Sequence, residues 1–159
     1  MGKIKYLVMD VDGTLTDGKI YMGENGEVMK VFNIKDGYAI SHILPEHGIV
    51  PIVITGRTSK IVENRCKELG ITEIHQDCLD KKGRLIEILE RYGEDTSEER
   101  LSYCACIGDD VLDIPLMDMC EISGCPADAC KEVKEVVGFV SKYNGGYGAV
   151  RDFIENMNA

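Results

Sequence analysis

The sequence has no apolar run approaching the roughly 18–20 residues of a membrane span. Its first apolar segment, Ile4–Met9, meets Asp10 too soon to be the core of a signal peptide. These absences argue against a membrane protein or an exported one, and the expected location is the cytoplasm. Cationic side chains are scarce, with 18 Lys and Arg against 28 Asp and Glu and a formal net charge of −10. Such a surface repels phosphate backbones, which argues against nucleic acid and anionic membranes as partners and requires a local cationic pocket for any anionic substrate. The seven cysteines are an odd number for a secreted disulfide framework, so they read as reduced thiols. Internal repeats, low-complexity tracts and linkers are missing too. With 159 residues, 44% of them hydrophobic and 29% charged, the chain is expected to form a single domain over 1–159.

Ile4–Met9 is rich in branched residues and ends at a cluster of Asp and Gly, the pattern of a buried parallel strand. Similar runs follow at Val50–Thr55, Glu73–Gln76 and Tyr103–Ile107, and helical patterns of crossover length lie between them. Thr58 or Ser59 can cap a helix with Ile61, Val62, Arg65, Cys66 and Leu69 on one face, stopped by Gly70. Asp80 can cap the next, striped by Leu85, Ile86 and Leu89. Helices are also expected over Asp36–His47 and Gly146–Met157. Ile20–Met22 and Val28–Asn33 flank a Gly-rich turn and read as a β-hairpin, an insertion over about residues 19–33. The alternation predicts an α/β fold: a Rossmann-like three-layer αβα sandwich around a central, mostly parallel sheet.

Ligands of open parallel sheets bind beyond the carboxyl ends of the strands. In this chain those positions hold Asp10, Asp12, Thr14 and Asp17, then Thr55, Gly56 and Arg57, then Asp80 and Lys81, then Asp109, Asp110 and Asp113. Several carboxylates on one edge repel one another, and a hard divalent cation, with Mg²⁺ the natural candidate, would compensate them. Lys81 and Lys82 oppose the helix dipole directly after the cap Asp80, a conflict that a bound anion would remove. A metal, carboxylates, a hydroxyl and a lysine at one spot are what phosphoryl transfer requires. Asp10 can attack phosphorus, and Asp12 can protonate the leaving alcohol and then deprotonate water.

Asp10-Val11-Asp12-Gly13-Thr14, then Thr55, Lys81 and Gly108-Asp109-Asp110 with Asp113, resemble in order and spacing the four motifs of the haloacid dehalogenase phosphatase superfamily. The resemblance implies that Asp10 is the nucleophile, Asp12 the acid/base, and Thr55 and Lys81 phosphate ligands. It places Mg²⁺ on Asp10, the Asp12 backbone carbonyl and Asp109, with Asp110 or Asp113 behind it. Asp12–Gly18, the hairpin, Phe32–Gly37, Thr55-Gly56-Arg57 and Gly145–Arg151 are further similar to the 3-deoxy-D-manno-octulosonate 8-phosphate phosphatases. That subfamily is capless, and the likeness implies a phosphosugar-acid substrate and a homotetramer whose hairpins form a central barrel. A neighbouring subunit would then help close the site. The 45 positions between Asp10 and Thr55 leave no room for a separate cap domain beyond the hairpin and one helix. Thr14, Gly56 and Arg57 are expected at the substrate, together with Lys35 and Arg151 from a neighbour.

The same residues admit other readings. An EF-hand loop fails because its glycine and glutamate places hold Leu15 and Tyr21. Asp17, Asp36 and Asp110, taken singly, read equally well as solvated turn residues. Cys104 and Cys106 read as small apolar packing in a buried strand, and His42, His47 and His75 as ordinary surface or edge residues. Rival functions are a nonulosonate 9-phosphate phosphatase, a phospho-acceptor signalling domain, and an idle oligomerisation module. The motif order disfavours the second, and the intact acid set disfavours the third.

Overall fold

The computed structural model describes residues 3–157. Its central sheet has six strands, all parallel: β1 (Tyr6–Met9), β4 (Val50–Ile54), β5 (Glu73–His75), β6 (Leu101–Ile107), β7 (Cys120–Cys125) and β8 (Phe139–Val140). Their spatial order is β5-β4-β1-β6-β7-β8, so β1 is central and the chain reverses direction across it. The hairpin, β2 (Tyr21–Gly23) and β3 (Gly26–Met29), forms a separate two-stranded antiparallel sheet whose base is closed by a Thr16–Phe32 bridge. Helical segments are α1 (Ile34–Tyr38), α2 (Leu44–Glu46), α3 (Lys60–Glu68), α4 (Lys81–Arg91), α5 (Ile114–Met119), α6 (Lys131–Val136) and α7 (Ala149–Met157). Among the described residues no helix is long and apolar enough to cross a membrane.

Alternation along β1 assigns the two faces of the sheet. Leu7 and Met9 join a core with Ile40 and Leu44, with Val62 and Cys66 of α3, and with Val150, Phe153 and Ile154 of α7. Tyr6 and Val8 join the opposite core with Leu85, Ile88 and Leu89 of α4, Leu116 and Met117 of α5, and Val133 of α6. The result is the expected three-layer αβα arrangement, and no cap domain lies between Asp10 and Thr55. All seven cysteines are free, and Cys104 and Cys106 are buried in β6 among apolar neighbours.

Several elements differ from the sequence expectations. The helix expected over Asp36–His47 starts at Ile34, because the Asn33 side chain accepts from the Lys35 amide at 2.8 Å, and a π-helical turn over Ala39–Ile43 joins α1 to α2. Asp36 is not a solvated turn residue. It is buried, caps the start of α7 by accepting from the Arg151 amide at 2.9 Å, and burial pushes its carboxyl up to about 6. The last helix begins at Ala149 and not at Gly146, because residues 145–148 form a loop against the Asp10–Asp17 segment. A Cβ at Gly145 would collide with the Gly13 carbonyl, so this approach requires glycine. Gly145→Ala should therefore displace the loop and cost about 1–3 kcal/mol; a lower denaturation midpoint, with the Asp10–Asp17 backbone amides exchanging faster with solvent, checks this.

Candidate active site

The site lies where the central strands end. Asp10 follows β1, Thr55 follows β4, and Gly108-Asp109 follows β6. Asp80 caps α4 by accepting from the Gly83 amide at 3.0 Å, which sets the first turn so that Lys81 points inward. Lys81 Nζ donates to Asp10 Oδ1 at 2.9 Å and to Asp113 Oδ1 at 2.6 Å, with its side chain only 4% exposed. The two carboxylates are thus the partners that relieve a cation at a helix start, where the sequence suggested a bound anion. Burial alone would lower the Lys81 ammonium, but the charges of Asp10 and Asp113 outweigh it and hold the group charged.

Asp113 Oδ2 accepts from the Asp109 amide at 3.0 Å and the Asp110 amide at 3.2 Å, so both its oxygens are held within the protein. Asp113 therefore shapes the loop that presents Asp109. Asp110 caps the short helical turn at Val111, accepting from that amide at 2.7 Å, and is exposed. A Cβ at Gly13, whose φ is +87°, would collide with the Asp109 carboxylate, so only glycine lets the first loop lie this close.

Oxygens of Asp10, Asp109 and Asp113 all lie within 4.8 Å of one another. Burial and then the Asp10 charge push the Asp109 carboxyl up to about 8, and burial with the Asp113 charge also raises Asp10. Carboxylates crowded against their own preference fit a divalent cation bound through oxygen.

Around this cluster opens a cleft of about 220 Å³ whose lining includes Asp12, Thr55, Arg57 and Lys81. Expected site residues fall into three groups. Asp10, Asp12, Thr55, Gly56, Arg57, Lys81, Asp109, Asp110 and Asp113 share this cleft. Thr14 does not reach it: the residue is fully buried and its hydroxyl donates to Asp109 Oδ1 at 3.3 Å, so it supports the acid cluster and has no surface for a substrate. Lys35 and Arg151 come together in a different pocket, with Tyr143 and Tyr147.

Two charged residues at the site were missed by sequence reasoning. Lys30 Nζ donates to Asp12 Oδ1 at 2.5 Å and to Glu27 Oε2 at 3.1 Å, and Glu27 lies 3.7 Å from Arg57. The available signal was a lysine interrupting the apolar residues of Val28–Asn33.

A central parallel sheet with an Asp-x-Asp loop, a threonine and an acidic pair following three of its strands, and a buried lysine on the first turn of α4, defines a haloacid dehalogenase-type phosphatase, a phosphoric monoester hydrolase. No protein-family model matches the chain. The chain is 41% identical over 149 residues to 3-deoxy-D-manno-octulosonate 8-phosphate phosphatase KdsC of Escherichia coli K12, covering 94% of this chain and 76% of that protein. Among solved structures, the corresponding phosphatase of Moraxella catarrhalis, in complex with magnesium ion, phosphate ion and a KDO molecule, superimposes with a TM-score of 0.88 at 35% identity, covering 97% of this chain and 85% of that one. The cobalt-bound form of the Haemophilus influenzae enzyme gives 0.88 at 34% identity, covering 98% and 87%. The chain belongs to the KdsC family of haloacid dehalogenase phosphatases.

The raised Asp109 carboxyl has a consequence for stability. An acid whose pKa is higher folded than unfolded favours the fold while protonated, and that stabilisation is lost as pH rises. For Asp109 the window runs from its ordinary 3.8 to about 8. Chelated protein should therefore become less stable across that range. Millimolar Mg²⁺ should restore about 2–3 kcal/mol near neutral pH if it exceeds its dissociation constant about a hundredfold, and Asp109→Asn should blunt both effects; thermal denaturation against pH, with EDTA or Mg²⁺, measures this.

Proposed function

We propose that this chain hydrolyses the phosphate ester of 3-deoxy-D-manno-octulosonate 8-phosphate in the cytoplasm, with Mg²⁺ and through an aspartyl-phosphate on Asp10. The observation that carries the reading is the buried Lys81 ammonium shared by Asp10 and Asp113 at the floor of a cleft whose other walls are Asp12, Thr55 and Arg57. The Moraxella structure with magnesium, phosphate and KDO on the same fold supports the substrate class.

With Lys81 on its Oδ1, Asp10 presents the second oxygen of a fixed carboxylate for in-line attack. The new Oδ–P bond forms as the ester P–O bond breaks, and the Asp12 carboxyl gives its proton to the departing sugar oxygen. Asp12 then takes a proton from water, whose oxygen displaces Asp10 from phosphorus and releases orthophosphate. Lys81 and the Thr55 hydroxyl bind phosphoryl oxygens. Asp10, Asp109 and the Asp12 carbonyl would hold Mg²⁺, which would supply the charge compensation that these crowded anions and the phosphoryl group need. Arg57, with its side chain 46% exposed, offers a planar fork for the substrate's carboxylate.

One chain supplies too little enclosure for a sugar, because 220 Å³ falls below the roughly 300–1,000 Å³ of ligand-enclosing pockets. The hairpin exposes Met22, Val28 and Met29, and Ile34 just beyond it is 83% exposed. Apolar side chains this exposed suit a contact between copies, and a homotetramer built on the hairpins would bring Lys35 and Arg151 of a neighbour toward the cleft.

Steady-state assays test the chemistry. Orthophosphate release from the eight-carbon substrate should exceed that from the nonulosonate 9-phosphate in kcat/KM, stop with EDTA, and fall by roughly a thousandfold or more in Asp10→Asn; metal-independent turnover, or an unimpaired Asp10→Asn, sinks the reading. Light scattering tests the assembly: four copies are expected for the natural chain, and Met22→Asp should yield smaller species with reduced turnover.

A further inference from the structure

Lys30 directly follows the hairpin's second strand and is buried, while its neighbours Val28, Met29 and Val31 are exposed. A buried ammonium is costly unless its N–H groups are paired. Here it is paired on both sides. One hydrogen bond goes to Asp12 Oδ1 at 2.5 Å and one to Glu27 Oε2 at 3.1 Å, with the lysine side chain 1% exposed. An apolar residue would fill the same space without that cost, so packing alone does not explain a lysine here.

The backbone of the Asp12 loop is fixed independently of Lys30. The Val11 carbonyl accepts from the amides of Thr14, Leu15 and Thr16, and the Gly13 amide donates to Thr16 Oγ1 at 3.1 Å. The Asp12 side chain is a different matter. Among the described residues, Lys30 is the only group that hydrogen-bonds it, and it does so through one oxygen. Without that contact the carboxyl is free to rotate among its staggered wells, and a proton donor displaced by about 1 Å can lose on the order of a hundredfold in rate.

We infer that Lys30 is the positioning residue of this site: the hairpin reaches into the cleft and, braced by Glu27, fixes the orientation of the Asp12 carboxyl so that its other oxygen is available to the leaving group. The inference rests on the phosphatase reading above, since it assigns Lys30 a role through Asp12's proton transfer. It also gives the hairpin a part in the chemistry of its own subunit, separate from any contact between copies.

The test compares the ester-cleavage step for two substrates in single turnovers, which isolates it from later water attack. 3-Deoxy-D-manno-octulosonate 8-phosphate has an alkoxide leaving group that needs Asp12's proton, whereas p-nitrophenyl phosphate has one that leaves without it. Lys30→Met should slow cleavage of the sugar phosphate about 10- to 100-fold and the nitrophenolate burst by less than about threefold. Lys30→Arg should recover most of the difference. Should Lys30→Met fold poorly, Glu27→Gln keeps the lysine and should give a smaller shift in the same direction. Equal slowing of both substrates, or no slowing of either, overturns the inference. A crystal structure of Lys30→Met supplies a readout independent of turnover: a rotated Asp12 carboxyl is expected, and an unmoved one overturns the role. Natural protein inert on both esters would sink the phosphatase reading, while the Asp12 orientation would still decide what Lys30 does.

Discussion

The site depends on one buried cation. Lys81 is placed by the capped first turn of α4, and its ammonium lies between Asp10 and Asp113 with almost no exposure. Removing it would leave two carboxylates in the interior facing each other and Asp109, an arrangement that costs several kcal/mol for each unpaired charge. The lysine therefore sets where the negative charge can sit. It holds one oxygen of Asp10, and it fixes Asp113, which in turn holds the amides that present Asp109. One ammonium cannot neutralise three acids, and burial together with the charge of a neighbouring acid raises the carboxyls of Asp10 and Asp109.

Topology explains how the charges are brought together. β1 is flanked by β4 and β6, and the loops after these three strands deliver Asp10, Thr55 and Asp109 from positions far apart in sequence. Close approach of the loops then demands small residues where backbone meets side chain or backbone. Gly13 lies against the Asp109 carboxylate, and Gly145 lies against the Gly13 carbonyl. The loop before the last helix is thus packed on the Asp10–Asp17 loop. Asp36, capping α7 from α1, ties the same region to the segment that follows the hairpin.

Strongly periodic or strand-terminal features were legible from the sequence alone. The branched runs at β1, β4 and β6 were clear because strands buried on both faces need apolar residues at consecutive positions. The cap Asp80 was clear, and of the two candidates Thr58 and Ser59 the structure uses Ser59, because such side chains serve amides two or three residues on. The strand β7 was not, since Glu121, Ser123 and Gly124 interrupt any apolar run and its burial comes from packing against β6 and α7. β8 has two residues and no pattern to read. Within the site, the acids at strand ends were found by position. Lys30 was not, because a strand lysine ordinarily extends to solvent, and only the three-dimensional placement of Asp12 and Glu27 gives it partners. Thr14 was misjudged for the converse reason: its proximity in sequence to Asp10 and Asp12 suggested a substrate contact, while the turn after Gly13 directs it inward to Asp109.

The hairpin shows why a domain without a cap can still control its chemistry. Among the described residues, the apolar side chains of β2 and β3 are absent from the two cores of the αβα sandwich, yet just past β3 a buried ammonium sits against the Asp12 loop. Glu27 links the same ammonium to Arg57 on the loop after β4, so the charged chain Asp12, Lys30, Glu27 and Arg57 runs from the proposed proton shuttle to the proposed carboxylate anchor. On the reading proposed above, a displacement of the hairpin would move both ends together. On that reading, an insertion of this kind couples recognition of the sugar acid to placement of the proton without a mobile lid, because one chain of ion pairs, buried at Lys30, reaches both groups.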